Sequence, residues 1–186
     1  VSFDVADRCV SGQNCSLHNS TSWPDVPWDE SCTGTTCPEK YSPTFWSTKR
    51  LSRVTTKVLN ASGTYREVDR WDFAHLFPTV PDGGGTGLWL NAVTRTGLTG
   101  PTAAPAIALP AVRFDGLMLP NRVDSRPDGL PALSKRRISA VRGESGSVLT
   151  VNYAGTECVP GASPAPATNT KRCFPARWTM PPATEP

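Results

Sequence analysis

The sequence predicts an all-β fold: antiparallel hairpins in a meander or sandwich-like sheet, loop-rich and stapled by disulfides. Three observations carry that prediction. Nineteen Pro and 15 Gly recur so often among the 186 residues that no helix of ordinary length fits between them. Several stretches alternate apolar and polar residues with the period of two that a half-buried strand requires. Six cysteines, an even number gathered near the two ends of the chain, fit a disulfide framework formed in an oxidising compartment.

The chain divides into a Cys- and Trp-rich strand-and-loop region over 1–48, a sheet region over 49–180 and a flexible tail over 181–186. In the first region Val1, Phe3 and Val5 alternate with polar neighbours as a short strand. The segment Trp23-Pro24-Asp25-Val26-Pro27-Trp28 follows, where two prolines hold the backbone extended and the two Trp pin it by packing.

The strongest strand signals come next. Arg50 to Leu59 reads as a strand with Val54, Thr56 and Val58 on one face, Asn60-Ala61-Ser62-Gly63 as a turn, and Thr64 to Phe77 as the returning strand. In the returning strand Tyr65, Trp71, Phe73 and Phe77 share one face, and Val68, Ala74 and Leu76 the other. Pro81 to Gly85 is a loop, and Leu88 to Thr96 another strand. Pro101 to Pro110 reads as a linker, Val112 to Gly116 as a short strand followed by Leu117 to Pro120. Ile138 to Arg142, the turn Gly143 to Gly146 and Ser147 to Tyr153 form a second hairpin.

Only 38% of residues are hydrophobic and the mean hydropathy is −0.31, so the core is expected to be thin. Six Trp and six Phe offset this in part, with Trp71 and Phe73 as the expected anchors. The net charge of +3 is spread singly apart from Lys135-Arg136-Arg137, which leaves no nucleic-acid footprint. No apolar run approaches a membrane span. The chain opens at Val1 without a signal-peptide hydrophobic stretch, which is read as a processed piece of something longer.

The cysteines are Cys9, Cys15, Cys32, Cys37, Cys158 and Cys173. Their connectivity is open in the sequence; loop closure favours neighbours, hence Cys9 with Cys15, Cys32 with Cys37 and Cys158 with Cys173. A loop of the last kind contributes about 3 kcal/mol through the unfolded chain's lost entropy. With His18, the first four are soft enough to hold zinc. They lack a Cys-x-x-Cys pair, however, and disulfides outweigh a metal site.

Gly143-Glu144-Ser145-Gly146-Ser147 superficially resembles a serine-nucleophile loop, but it breaks the Gly-x-Ser-x-Gly pattern at Ser147 and lies in a hairpin turn. Neither His18 nor His75 sits in the context of a base for it. Asp69, Asp72 and His75 are close in sequence, yet strand geometry sends Asp72 to the face opposite Asp69 and His75. No catalytic residue, metal or cofactor is therefore expected. Trp23, Trp28, Trp46 and Trp89 are the ligand-facing candidates, since exposed aromatic faces make sugar-binding platforms; packing in an aliphatic-poor core is the weightier reading. Asn14, Asn19 and Asn60 head glycosylation sequons.

Several stretches carry a resemblance: Phe3-Asp-Val-Ala-Asp-Arg-Cys9, Ser22-Trp-Pro-Asp-Val-Pro-Trp-Asp29, Ser42-Pro-Thr-Phe-Trp-Ser-Thr-Lys-Arg-Leu51, Leu119-Pro-Asn-Arg-Val-Asp124 and Arg172-Cys-Phe-Pro175. In these, and in the order of a Gly-Leu-Trp-Leu stretch before Leu-Pro-x-Val-x-Phe-x-Gly, the chain resembles secreted actinobacterial Rhs/YD-repeat proteins. The likeness is to the region leading into the YD repeats, related in pattern to the wall of Tc-toxin cocoons. No tyrosine-aspartate repeat occurs in the chain itself.

The resemblance implies long hairpins wound into a hollow shell around a toxin encoded elsewhere in the parent chain. The function expected is a non-catalytic structural segment of such a secreted protein, contributing β-shell or cap surface. Its partners would be other parts of the parent polypeptide or the neighbouring shell. The rival is a secreted carbohydrate- or cell-surface-binding β-sandwich module with a surface glycan as partner; a small secreted hydrolase is a third. Neither nucleic acid nor membrane insertion enters any of these readings.

Overall fold

The computed structural model describes residues 1–38, 40, 45–83, 85–98, 105–123, 131–162 and 164–174. Among these residues eight strands form: β1 (Ser2–Asp7), β2 (Lys49–Leu59), β3 (Tyr65–Leu76), β4 (Trp89–Gly97), β5 (Ile107–Ala108), β6 (Val112–Leu119), β7 (Lys135–Arg142) and β8 (Val148–Thr150). All belong to one antiparallel sheet in the order β1-β2-β3-β4-β6-β7-β8, with the short β5 pairing β4 beside β6. The arrangement is thus a meander, and the described residues hold no second sheet that would make a sandwich. Two single-turn 3-10 segments, Trp28–Glu30 and Pro166–Thr168, are the helical pieces among the described residues.

The first hairpin forms where the turn chemistry places it. Asn60 Oδ1 accepts from the Thr64 backbone N–H at 3.0 Å and from the Ser62 hydroxyl at 2.7 Å. Gly63 takes φ +78°, a left-handed conformation that glycine adopts without steric cost. Several expected boundaries shift. The strand expected over Val112 to Gly116 runs on to Leu119, and the one from Ile138 begins at Lys135, because the two pair along that whole length. The strand expected to reach Tyr153 stops at Thr150, pairing with Ala140, Val141 and Arg142 of β7, and the Val151 N–H still donates to the Ser139 carbonyl at 2.9 Å. Ile107 and Ala108, inside the expected Pro-rich linker, pair with Gly97 and Thr96.

One expected face is corrected by a bulge. Thr56 pairs with Asp69 and Lys57 with Glu67, so Val68 is an extra residue in β3. The inserted residue inverts the alternation below it. Tyr65 therefore pairs with Leu59 on the face opposite Trp71, not beside it.

The buried hydrophobic cluster lies outside the sheet, in the N-terminal loop. Cys9, Trp23 and Val26 pack together, with Trp28 and Trp46 half-buried against them. That loop is tied to the sheet where β1 ends and β2 begins: the Arg8 N–H donates to the Thr48 carbonyl at 2.8 Å, and the Arg8 guanidinium pairs with Asp25 at 3.2 Å. Trp71 and Phe73, the expected anchors, are only half-buried. No second layer packs over their face within the described residues.

Disulfides join Cys9 to Cys15, Cys32 to Cys37 and Cys158 to Cys173, with Cα separations of 5.7, 5.9 and 6.3 Å. These spans suit disulfide geometry, and they leave the first four cysteines unavailable as thiolate ligands. The tail over 181–186, together with Ser42, Pro43, Thr44, Asp124 and Pro175 of the resembling stretches, lies outside the described residues.

Candidate functional site

Directly opposed residues of antiparallel strands share a face, so the register sorts the sheet into two surfaces. On one surface Phe3, Val54 and Trp71 oppose one another across β1, β2 and β3. One step along, Phe73, Val93 and Val112 do the same across β3, β4 and β6. Phe114, Val141 and Leu149 continue the row to β8. An apolar band therefore crosses the sheet from edge to edge. Its two ends are exposed, Phe3 at 67% and Leu149 at 63%, the residues between are half-buried, and no second layer among the described residues packs over it.

The opposite surface carries cross-strand ion pairs, beside the exposed apolar Leu59 and Tyr65. Asp4, Arg53, Asp72 and Thr94 form one cross-strand row. Asp72 takes Arg53 at 2.6 Å and Arg70 at 2.9 Å, one guanidinium on each carboxylate oxygen. Arg142 pairs with Asp115 at 2.7 Å. The four buried strand residues, Thr55, Ala92, Thr96 and Ala140, all lie on this side. They are small, and their cross-strand neighbours include Arg70, Arg113 and Asp115, whose longer side chains flank them.

A shallow, largely open cleft of about 360 Å³ lies between β4, β6, β7 and the segment after β8. Trp89, Phe114, Ile138 and Tyr153 line it, with Arg136 and Arg137. The Trp89 indole N–H donates to the Phe114 carbonyl at 3.0 Å, bridging β4 and β6 beyond their paired residues Ala92 and Val93. Gly116 makes this packing feasible. A Cβ there would lie 2.6 Å from Arg136 Nε and 3.0 Å from Trp89 Cζ2, so any larger residue would push the pair apart. The Arg136 guanidinium sits 5.1 Å from the centre of the Trp89 ring, and Arg137 sits 6.0 Å from that of Tyr153. Arg136 Nε is buried with no hydrogen-bond acceptor.

The sequence-derived aromatic candidates separate into two places. Trp23 is 5% exposed, its N–H donating to the Cys15 carbonyl at 3.2 Å. Trp28 stacks on His18 with ring centres 3.8 Å apart and stands edge-on to Trp23 and Trp46. Trp89 alone of the four lines the cleft. Gly116, Arg136, Arg137 and Tyr153 were not legible as a site; the basic triplet was their one trace, and its aromatic partners come from other strands.

The remaining polar groups are held in structural contacts. Asp69 faces Arg95 at 3.1 Å on the apolar side, where Arg95 also lies 5.6 Å from the Trp71 ring centre. His75 Nδ1 sits 3.1 Å from an Arg50 guanidinium nitrogen; partial burial, and then that cation, hold its imidazole below the usual range. Burial raises the Asp25 carboxyl, opposed by Arg8. Ser145 lies in the two-residue turn that Gly146, at φ +87°, allows. Asn14, Asn19 and Asn60 are exposed, each with Oδ1 accepting a backbone N–H. No group of three or more potential metal ligands occurs among the described residues.

No protein-family model, curated protein or solved structure matches this chain.

Proposed function

We propose that the chain is a non-catalytic structural segment of a large secreted Rhs/YD-repeat-like protein, contributing β-shell surface around a cargo carried elsewhere. The observation that carries this reading is the sheet's division into one surface crossed by an apolar band and one laced by cross-strand ion pairs, with no second layer among the described residues over the band. A wall needs that asymmetry: its inner and outer sides meet different surroundings, and its strands pair onward at the edges instead of closing on themselves. β1 and β8 are such edges. The resembling stretches Phe3 to Cys9 and Ser22 to Asp29 fall on the first edge strand and on the buried loop beside it. The three disulfides accord with an extracellular setting.

Hydroxyl-radical footprinting of the whole secreted polypeptide against the isolated chain tests the proposal. Phe3, Trp71, Phe73 and Phe114 should be oxidised in the isolated chain and several-fold protected in the parent. Tyr65, on the other face, should react similarly in both. Equal reactivity of the four aromatics in the two samples would contradict a covered wall.

A further inference from the structure

We infer that the Trp89 cleft binds an acidic saccharide, a sugar ring bearing a carboxylate. Three features of the cleft point the same way. First, its walls are flat and apolar: the Trp89 and Tyr153 rings, Phe114 and Ile138 can cover the apolar face of a pyranose. Its volume of about 360 Å³ lies at the small-ligand end of binding clefts.

Second, two guanidiniums stand at those walls, and no carboxylate among the described residues lines the cleft to neutralise them. Each lies within cation–π range of an aromatic ring, Arg136 at 5.1 Å from Trp89 and Arg137 at 6.0 Å from Tyr153, and a guanidinium's planar fork suits a carboxylate in bidentate fashion. Arg137 is further oriented by donating to Asn121 Oδ1.

Third, two backbone acceptors at the cleft are already filled: the Trp89 indole N–H donates to the Phe114 carbonyl and the Tyr153 hydroxyl to the Ile138 carbonyl. Recognition there falls to the aromatic and guanidinium side chains, which suit a ring with an anionic substituent. Gly116 is its positioning residue, because the Arg136–Trp89 pair closes over the space a side chain would fill.

This inference does not rest on the shell reading, and each fails by its own measurement. Isothermal titration calorimetry of the folded chain should show binding of one or more of three acidic oligomers, oligogalacturonate, oligoglucuronate or oligomannuronate. A neutral galactan oligomer should give no measurable heat. Arg137→Gln and Tyr153→Ala remove contacts outside the Arg136–Trp89 packing, so both should keep the wild-type circular dichroism. Each should weaken the acidic ligand about tenfold or more. Absence of binding by all three oligomers, equal binding of the neutral one, or affinities changed by less than about twofold in both variants would overturn the inference. So would polyglutamate binding as tightly as the sugars, since the site would then read a carboxylate chain without the ring.

Discussion

Trp23 and Phe73 are both aromatic residues in a chain short of aliphatics, yet their surroundings differ. Trp23 is buried against Cys9 and Val26, edge-on to Trp28 at 5.6 Å, with its N–H satisfied. Phe73 stands half-buried on an open sheet face between Val93 and its strand neighbours. Truncation of a buried aromatic loses transfer energy and leaves a cavity, so Trp23→Ala should cost about 3–5 kcal/mol. Phe73→Ala removes area that water already reaches in part, and should cost about 1–2 kcal/mol. Urea denaturation followed by circular dichroism would rank them; a larger loss for Phe73→Ala would mean the face is covered after all. The Trp-Pro-Asp-Val-Pro-Trp segment was legible as an aromatic pin. That it, and not the strand, forms the buried cluster was not legible, because alternation shows which residues share a face but not whether anything packs on it.

At the scale of the element, strands and tight turns were readable because their causes are local. The Asn60–Gly63 turn follows from a side-chain acceptor and a left-handed glycine, and the Gly143–Gly146 turn closes with Gly146 in the same conformation. A Cβ at Gly63, with φ +78°, is strained whatever space surrounds it. Gly63→Ala should therefore destabilise the chain by about 1–2 kcal/mol. Gly155→Ala, where a Cβ meets nothing within 4 Å and no positive φ applies, should be near neutral. Differential scanning calorimetry of the pair would check this, and equal melting temperatures would contradict the turn assignment. The bulges were not readable. Val68 is an extra residue only by reference to Thr56 and Lys57 on the partner strand, and that single insertion moved Tyr65 to the other face. The two-residue strand β5 was hidden for the same reason, since Ile107 and Ala108 are extended by pairing with β4 and not by their own pattern.

At the scale of the molecule, one sheet carries an edge-to-edge apolar band on one side and interlocked ion pairs on the other. The all-β class and the near-neighbour disulfides were legible in the sequence because both rest on composition and spacing. The two-surface division was not, since it depends on the register of seven strand pairings. Each bulge had to fall where it leaves Phe3, Val54 and Trp71 in line with Val93, Phe114 and Leu149. Fluorescence of the apolar dye anilinonaphthalene sulfonate, titrated into the isolated folded chain, reads that band directly. The wild type should enhance the dye strongly. Phe3→Ser with Leu149→Ser should lose several-fold of the enhancement, while Asp4→Ser with Thr150→Ser, on the opposite face, should leave it unchanged. No enhancement by the wild type, or equal loss in the two double variants, would show that the sheet has no open apolar side.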